Sequence, residues 1–205
     1  MRNLITVSIA ALMLTAFAGC GKKAEKVQVQ VKTSPVEMIK KLAESGDVRS
    51  QYDLGVCYAS GWGVEKDHFQ AIKWWKKAAA QGDLFAICDL GNCYEKGNGT
   101  LPCSFMALYY YRKAADAGFA EAQYNLGKAF SEGEIVGKNE QRALYWYTFA
   151  ALQGHRKAQV EVGIICEAGK LMPRSVEFAR YFLEHNRKVS QEASAAWRRL
   201  RILEE

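Results

Sequence analysis

The chain has 205 residues, 49% of them hydrophobic, and carries 28 Lys and Arg against 22 Asp and Glu, a formal net charge of +6. The two signs are interspersed rather than blocked, which argues against a nucleic-acid partner and leaves acidic protein surfaces or anionic head groups as the counterpart of a mildly basic chain. The length suits one domain behind a short leader.

The leader comes first. Arg2 precedes an uncharged apolar run, Leu4–Phe17, that ends in Phe17-Ala18-Gly19-Cys20. A basic start, a short apolar stretch and small residues before a cut describe a secretory signal peptide, shorter than a typical membrane span. Cysteine directly after Ala18-Gly19 resembles the bacterial lipoprotein signal, with Phe17 where that signal usually has Leu. The resemblance implies that 1–19 is a lipoprotein signal peptide and that Cys20 becomes the mature N-terminus, carrying palmitate or similar acyl chains. Because residue 21 is Gly rather than Asp, it also implies the outer membrane, facing the periplasm. Two or more acyl chains on one residue anchor stably. The alternative is an ordinary cleaved signal with Cys20 a free thiol. Residues 20–34 then read as the lipidated Cys followed by a flexible tether: 21–34 is polar and holds four lysines. Val and Gln alternate over 27–31, but nothing else in the chain offers a strand to pair with.

From residue 35 onward one period dominates. Glycine recurs every 36 residues in three columns: Gly46, Gly82, Gly118, Gly154; Gly55, Gly91, Gly127, Gly163; and Gly61, Gly97, Gly133, Gly169. Ser50, Ala86, Ala122, Ala158 and Leu54, Leu90, Leu126, Val162 keep the same period, as do Ala71, Ala107, Ala143, Ala179 and Trp74, Tyr110, Trp146, Phe182. Within a repeat the columns stand three or four residues apart, so each repeat is two amphipathic helices, roughly 47–60 and 68–81 in the first copy. Asp67, Cys103, Asn139 and Ser175 open the second helices; Asp, Asn and Ser are N-cap residues. The glycine after the second helix suits a left-handed C-cap. The glycine inside the first helix costs about 1 kcal/mol against alanine, and its recurrence predicts close helix approach.

A fixed period of this length means a stacked array. The expected fold is all-α: a right-handed α-solenoid over 35–205 with four helix pairs, about 47–82, 83–118, 119–154 and 155–187. Residues 35–45 form the second helix of an incomplete leading repeat. A C-terminal capping helix spans 188–205, with Ala193, Trp197, Leu200 and Leu203 as its apolar stripe and Arg198, Arg199, Arg201, Glu204 and Glu205 outside.

Ala-x-x-x-Leu-Gly-x-x-Tyr-x-x-Gly, then a short loop, then Ala-x-x-Trp/Tyr-x-x-x-Ala-Ala-x-x-Gly resembles the Sel-like repeat, a relative of the tetratricopeptide repeat. Gln51–Gly82 and Gln123–Gly154 are its clearest copies, and Gly61-Trp62-Gly63-Val64 followed by Asp67 matches the loop signature. Cys103, Cys166 and Asn186 depart from it. The resemblance implies a protein-binding solenoid and leaves activity open.

No catalytic constellation stands out. His68, His155 and His185 are isolated, which gives no metal site, and no cofactor is expected. No serine is followed by lysine three residues on, so the Ser-x-x-Lys signature is missing. This matters because some Sel-like proteins are linked to β-lactam binding. Gly97-Asn98-Gly99 reads as a turn, and Trp74, Tyr110 and Trp146 as core. Five cysteines follow Cys20. Cys93 and Cys103 are candidates for a disulfide closing the loop between them, Cys57 and Cys88 for one across neighbouring helices, and Cys166 for a buried thiol.

What remains is a surface. In tetratricopeptide-like solenoids the first helices line the concave face, and the positions between the core columns point there. These are Arg49, Tyr52 and Val56; Phe85, Asn92, Glu95 and Lys96; Glu121, Tyr124, Lys128 and Ser131; Lys157, Val160 and Ile164. Tyr52, Phe85 and Tyr124 stand at nearly equivalent places as interface anchors, or else pack between adjacent first helices. The expected function is a non-enzymatic, membrane-tethered periplasmic adaptor or inhibitor that holds a protein partner, in its sharpest form an immunity protein against a secreted toxin such as a phospholipase. The alternatives are a β-lactam- or peptidoglycan-binding enzyme of the cysteine-rich Sel-like type and an envelope regulatory or structural factor.

Overall fold

The computed structural model describes residues 34–168, 176–186 and 191–202. The signal peptide, Cys20, the tether, Gly169, Ser175 and residues 203–205 lie outside them, as do the side chains of Leu200 and Arg201. Thr33–Glu205 forms a compact unit by itself.

The helices are α1 (Pro35–Glu44), α2 (Val48–Ser60), α3 (His68–Ala80), α4 (Leu84–Lys96), α5 (Ser104–Asp116), α6 (Ala120–Glu132), α7 (Glu140–Leu152), α8 (Arg156–Ala168), α9 (Val176–Asn186) and α10 (Gln191–Ile202). Each packs on its sequence neighbours, and α10 also returns to α8. This is the expected all-α repeat array. Helices α2, α4, α6 and α8 are the first, or A, helices of the repeats, and α3, α5, α7 and α9 the second, or B, helices. The leading helix begins with a capping box, Ser34 and Glu37 each accepting the other's backbone N–H, with Pro35 following the cap. At the far end Arg199 is exposed as expected, and it reaches back to α8, donating to both oxygens of Glu167 at 3.0 and 2.9 Å.

The junctions between repeats are three-residue turns. Gly82 has φ +91°, its N–H bonds the Ala79 carbonyl, and the Asp83 N–H reaches the Ala78 carbonyl. This is a Schellman ending. Asp83 then caps α4 by accepting the Ala86 N–H at 2.7 Å. Asp47 does the same for Ser50. In the third copy Phe119 has no oxygen to offer, and in the fourth His155 caps through Nδ1, accepting from Ala158 at 3.2 Å. Among the B helices, Asp67 and Asn139 cap as expected and Cys103 makes no side-chain cap bond.

The mid-helix glycines mark close approach, and their partners form a column one residue beyond the expected aromatic one. A Cβ on Gly55, Gly91, Gly127 or Gly163 would lie 2.4 to 2.6 Å from Trp75, Tyr111, Tyr147 or Leu183, respectively. All four partners are buried. Trp74 and Trp146 are buried too, while Tyr110 is half-buried and stacks on Tyr94.

A polar ladder fixes successive repeats. Gln51, Gln123 and Gln159 donate to the carbonyls of Ala43, Ala115 and Ala151 of the preceding B-type helix. Gln81 donates to Gln51, Gln153 to Gln123 and Asn186 to Gln159. The second copy lacks both partners at once, having Ile87 and Ala117 in their place. A buried amide without its mate is costly, whereas replacing both by apolar groups is nearly neutral.

Neither expected disulfide is present: Cys57, Cys88, Cys93, Cys103 and Cys166 are free thiols. Cys93 turns into the core, and the loop before α5 is instead closed by the backbone, the Cys103 N–H donating to the Tyr94 carbonyl at 2.8 Å. The same bond joins Asp67 to Tyr58 and Asn139 to Phe130. Burial pushes the Cys88 thiol up to about 12 and that of Cys93 to about 11, with the charge of Asp89 beside each adding to the shift. Cys166 is buried, as expected.

Gly91→Ala should lower stability by about 1–3 kcal/mol through overpacking against Tyr111, reversing the sign that helix propensity alone would give. Gly82→Ala, where a Cβ meets nothing within 4 Å, should cost only the about 1–2 kcal/mol of left-handed backbone; urea midpoints compare the two. In a double-mutant cycle, Gln123→Ile with Gln153→Ala should cost less than the sum of the single changes, with a coupling of about 0.5–1 kcal/mol.

Candidate functional site: the A-helix face

The repeat stacks four columns on the A helices: Arg49, Phe85, Glu121, Lys157; Tyr52, Cys88, Tyr124, Val160; Asp53, Asp89, Asn125, Glu161; and Val56, Asn92, Lys128, Ile164. Three groups of contacts form on them.

The first is aromatic. Phe85 lies 5.7 Å from the Tyr52 ring and 4.9 Å, edge-on, from Phe119. It is held on both sides and still 48% exposed. Phe119, unable to cap α6, contributes a ring instead. Arg49 lies 5.5 Å over Tyr52 and pairs with Asp53 at 3.1 Å.

The second group is polar and half-buried. Tyr52 donates to Asp89 at 3.2 Å, as does the Asn92 amide. The Tyr111 hydroxyl from α5 lies 2.7 Å from the Asn92 oxygen and also against the Glu95 carboxylate. With one proton it serves one of the two at a time. Asn125 is 3.6 Å from the Cys88 sulfur. Burial raises the Asp89 carboxyl above its usual range against the opposing bonds from Asn92 and Tyr52.

The third group closes the face at its C-terminal end. His155 stacks on Tyr124 at 4.7 Å, and its Nε2 lies 3.0 Å from Glu121. Because Nδ1 accepts the Ala158 N–H, the ring proton sits on Nε2 and is donated to Glu121. Lys157 lies 5.8 Å over the Tyr124 ring. A cavity of about 350 Å³ opens there, lined by Tyr124, Arg156, Lys157, Val160, Glu161, Asn186 and Glu192. Burial, then the charges of Glu192 and Glu132, raise Glu161 above the ordinary 4.5.

Of the expected surface residues, Tyr52, Phe85, Asn92, Glu95, Glu121, Tyr124 and Lys157 are thus brought into contact with one another or with shared neighbours. Arg49 and Lys128 are paired within their own helices, Lys128 with Glu132 at 3.6 Å, and Lys96 is exposed. Val160 is buried rather than presented. Asp89, Phe119, Asn125 and Glu161 were missed. The column at 53, 89, 125 and 161 carries acids in three of its four copies, which was the available signal. Among the described residues no cluster of three or more His, Cys, Asp or Glu could hold a metal ion.

The Sel1 repeat description matches residues 48–83, 84–119, 120–155 and 156–184. The chain belongs to the Sel1 repeat family. A Sel1 repeat protein of Oxalobacter formigenes, solved by crystallography, matches at 30% identity over 77% of this chain and 65% of its own, with a TM-score of 0.72. The crystal structure of c5321, a protective antigen present in uropathogenic Escherichia coli strains and displaying an SLR fold, matches at 29% identity over 77% of this chain and 32% of its own, with a TM-score of 0.67. The Sel1 chain described here therefore spans less than two thirds of either solved chain. No curated protein matches it.

Because folded Glu161 keeps a proton that the unfolded chain gives up near 4.5, stability falls as pH rises through the window above that value, and the deficit persists beyond it. Glu161→Gln should therefore melt higher than wild type near about pH 7 and level with it below about pH 4, as thermal melts at the two pH values would show.

Proposed function

We propose that this Sel1 repeat protein is a non-enzymatic, periplasm-facing adaptor or inhibitor, lipid-anchored to the outer membrane through Cys20, that holds a protein partner on its A-helix face. Family membership supports a protein-interaction scaffold. The observation that carries the reading is Phe85: half-exposed, braced between Tyr52 and Phe119, and close to the half-buried carboxylate of Asp89. A ring already fixed in place loses little freedom on binding, and exposed aromatics are favoured as anchors. Asp89, Glu95 and Glu161 favour a partner segment bearing Lys or Arg. In its sharpest form the partner is a secreted toxin such as a phospholipase, neutralised because a preformed surface covers it. The apolar run Leu4–Phe17 and the Ala18-Gly19-Cys20 sequence support the anchor.

The test is a pull-down from envelope and secreted fractions with the chain beginning at Gly21. One stoichiometric partner is expected, bound at least about tenfold more weakly by Phe85→Ser and by Glu161→Arg with melting temperatures kept. If that partner is a toxin, deletion of the gene should make it lethal. Retention of peptidoglycan fragments or a β-lactam with no protein partner would sink the reading, and unchanged binding by both variants would remove it from this face. Labelled palmitate incorporation, lost in Cys20→Ser, checks the anchor.

A further inference from the structure

A second exposed surface lies on the edge where the loops lead into the B helices. Trp62, Phe69, Leu101 and Phe105 are 56%, 73%, 84% and 76% exposed. Phe69 and Phe105 occupy equivalent positions in consecutive repeats. The neighbouring glycines show that these side chains share one edge. A Cβ on Gly63 would lie 2.4 Å from Val36, so the first turn of α1 rests on the loop carrying Trp62. A Cβ on Gly99 would lie 2.6 Å from the His68 backbone, so the loop carrying Leu101 rests on the start of α3. The edge thus runs from Ser34 through Trp62 and Phe69 to Leu101 and Phe105.

We infer that this edge docks on an anionic bilayer surface. Two observations favour a bilayer over a protein. The first is chain connectivity: the described fold begins at Ser34 on this edge. Cys20 is joined to Ser34 by no more than about 50 Å of extended chain. The chain that would carry the anchor therefore enters the described fold at this edge. The second is charge. Helix α3 (HFQAIKWWKKAAA) contains three lysines and no acid. Lys73 and Lys76 are exposed one and two turns behind Phe69, about 6 and 10 Å along the axis. Aromatic and aliphatic tips enter the interfacial layer while lysines behind them meet phosphate head groups. The inference rests on the membrane anchor proposed above for its bilayer, and on nothing proposed for the A-helix face.

The test uses Thr33–Glu205, the compact unit, which lacks Cys20, in co-sedimentation with phosphatidylethanolamine vesicles containing or lacking phosphatidylglycerol. Binding to the phosphatidylglycerol vesicles is expected, weakened by salt. Phe69→Ser with Phe105→Ser, and separately Lys73→Glu with Lys76→Glu, should each weaken it by about tenfold or more. Phe105→Ser alone, at a site 76% exposed, gives a smaller loss in a variant with little reason to unfold. Leu152→Ser, 69% exposed at the opposite, C-terminal end of α7, should bind like wild type. No sedimentation with phosphatidylglycerol vesicles, or equal binding by the Phe69 and Phe105 double variant, overturns the inference. So does a protein partner lost in that double variant while vesicles are ignored. Because no acyl chain and no partner take part, failure here leaves the pull-down on Phe85 and Glu161 untouched.

Discussion

The contact between a mid-helix glycine and the side chain opposite it sets the geometry of everything else. Gly55, Gly91, Gly127 and Gly163 leave no room for a Cβ because Trp75, Tyr111, Tyr147 and Leu183 fill that space. The A and B helices of a repeat therefore approach to a distance fixed by the thickness of one ring or one Leu side chain rather than by two interlocking side chains. Repeated four times, this gives every helix pair nearly the same spacing. Equal spacing lets residues 36 apart fall into line, so that Tyr52 can reach Asp89 and Phe85 can sit between Tyr52 and Phe119. Helix propensity opposes glycine at these positions; packing overrides it.

That hierarchy explains what could be read in advance. The helix pairs, the leading and closing helices and the caps at Asp67 and Asn139 follow from local rules repeated at one period, and repetition separates such signals from chance. The partner column at 75, 111, 147 and 183 was harder to see because it mixes Trp, Tyr and Leu, which are all large and buried but share no chemical label. The A-helix caps were hidden for a related reason: Asp47 and Asp83 announce them, but Phe119 and His155 occupy the same position without looking like caps. The expected Cys93–Cys103 disulfide failed because loop closure needed no covalent bond; a backbone bond common to three repeats already supplied it. On the candidate face, Phe85 and Tyr52 were legible as aromatics. Asp89 and Glu161 were not, since a carboxylate on a helix usually faces water and only the stacked neighbours bury it.

The departures from the period are informative in themselves. Where Phe119 replaces a capping Asp, α6 loses a bond to its first turn, a loss on the order of 1 kcal/mol, and the face gains the ring that braces Phe85. Where His155 replaces it, the cap survives through Nδ1 while the other ring nitrogen ties Glu121 to the stack on Tyr124. Where Gln gives way to Ile87, its mate gives way to Ala117, and no buried amide is stranded. Changes that keep every buried polar group satisfied serve the fold. A change that gives up a cap and adds exposed aromatic area does not stabilise the fold on its own terms.

This distinction bears on which surface is functional. Isolated exposed apolar residues are ordinary on any protein. Phe85 differs because it is exposed and immobilised together: its neighbours hold it without covering it. The residue that holds it, Phe119, sits where a better stabiliser of α6 was available. Half-buried Asp89 and Glu161 add to the cost, since both would be more comfortable protonated or solvated. A face that combines a forgone cap, a braced exposed ring and desolvated carboxylates carries strain that the solenoid does not need for its own stacking. In the reading proposed above, a partner bringing apolar area and positive charge would cover the braced ring and neutralise the carboxylates, two costs that stacking of the repeats alone leaves in place.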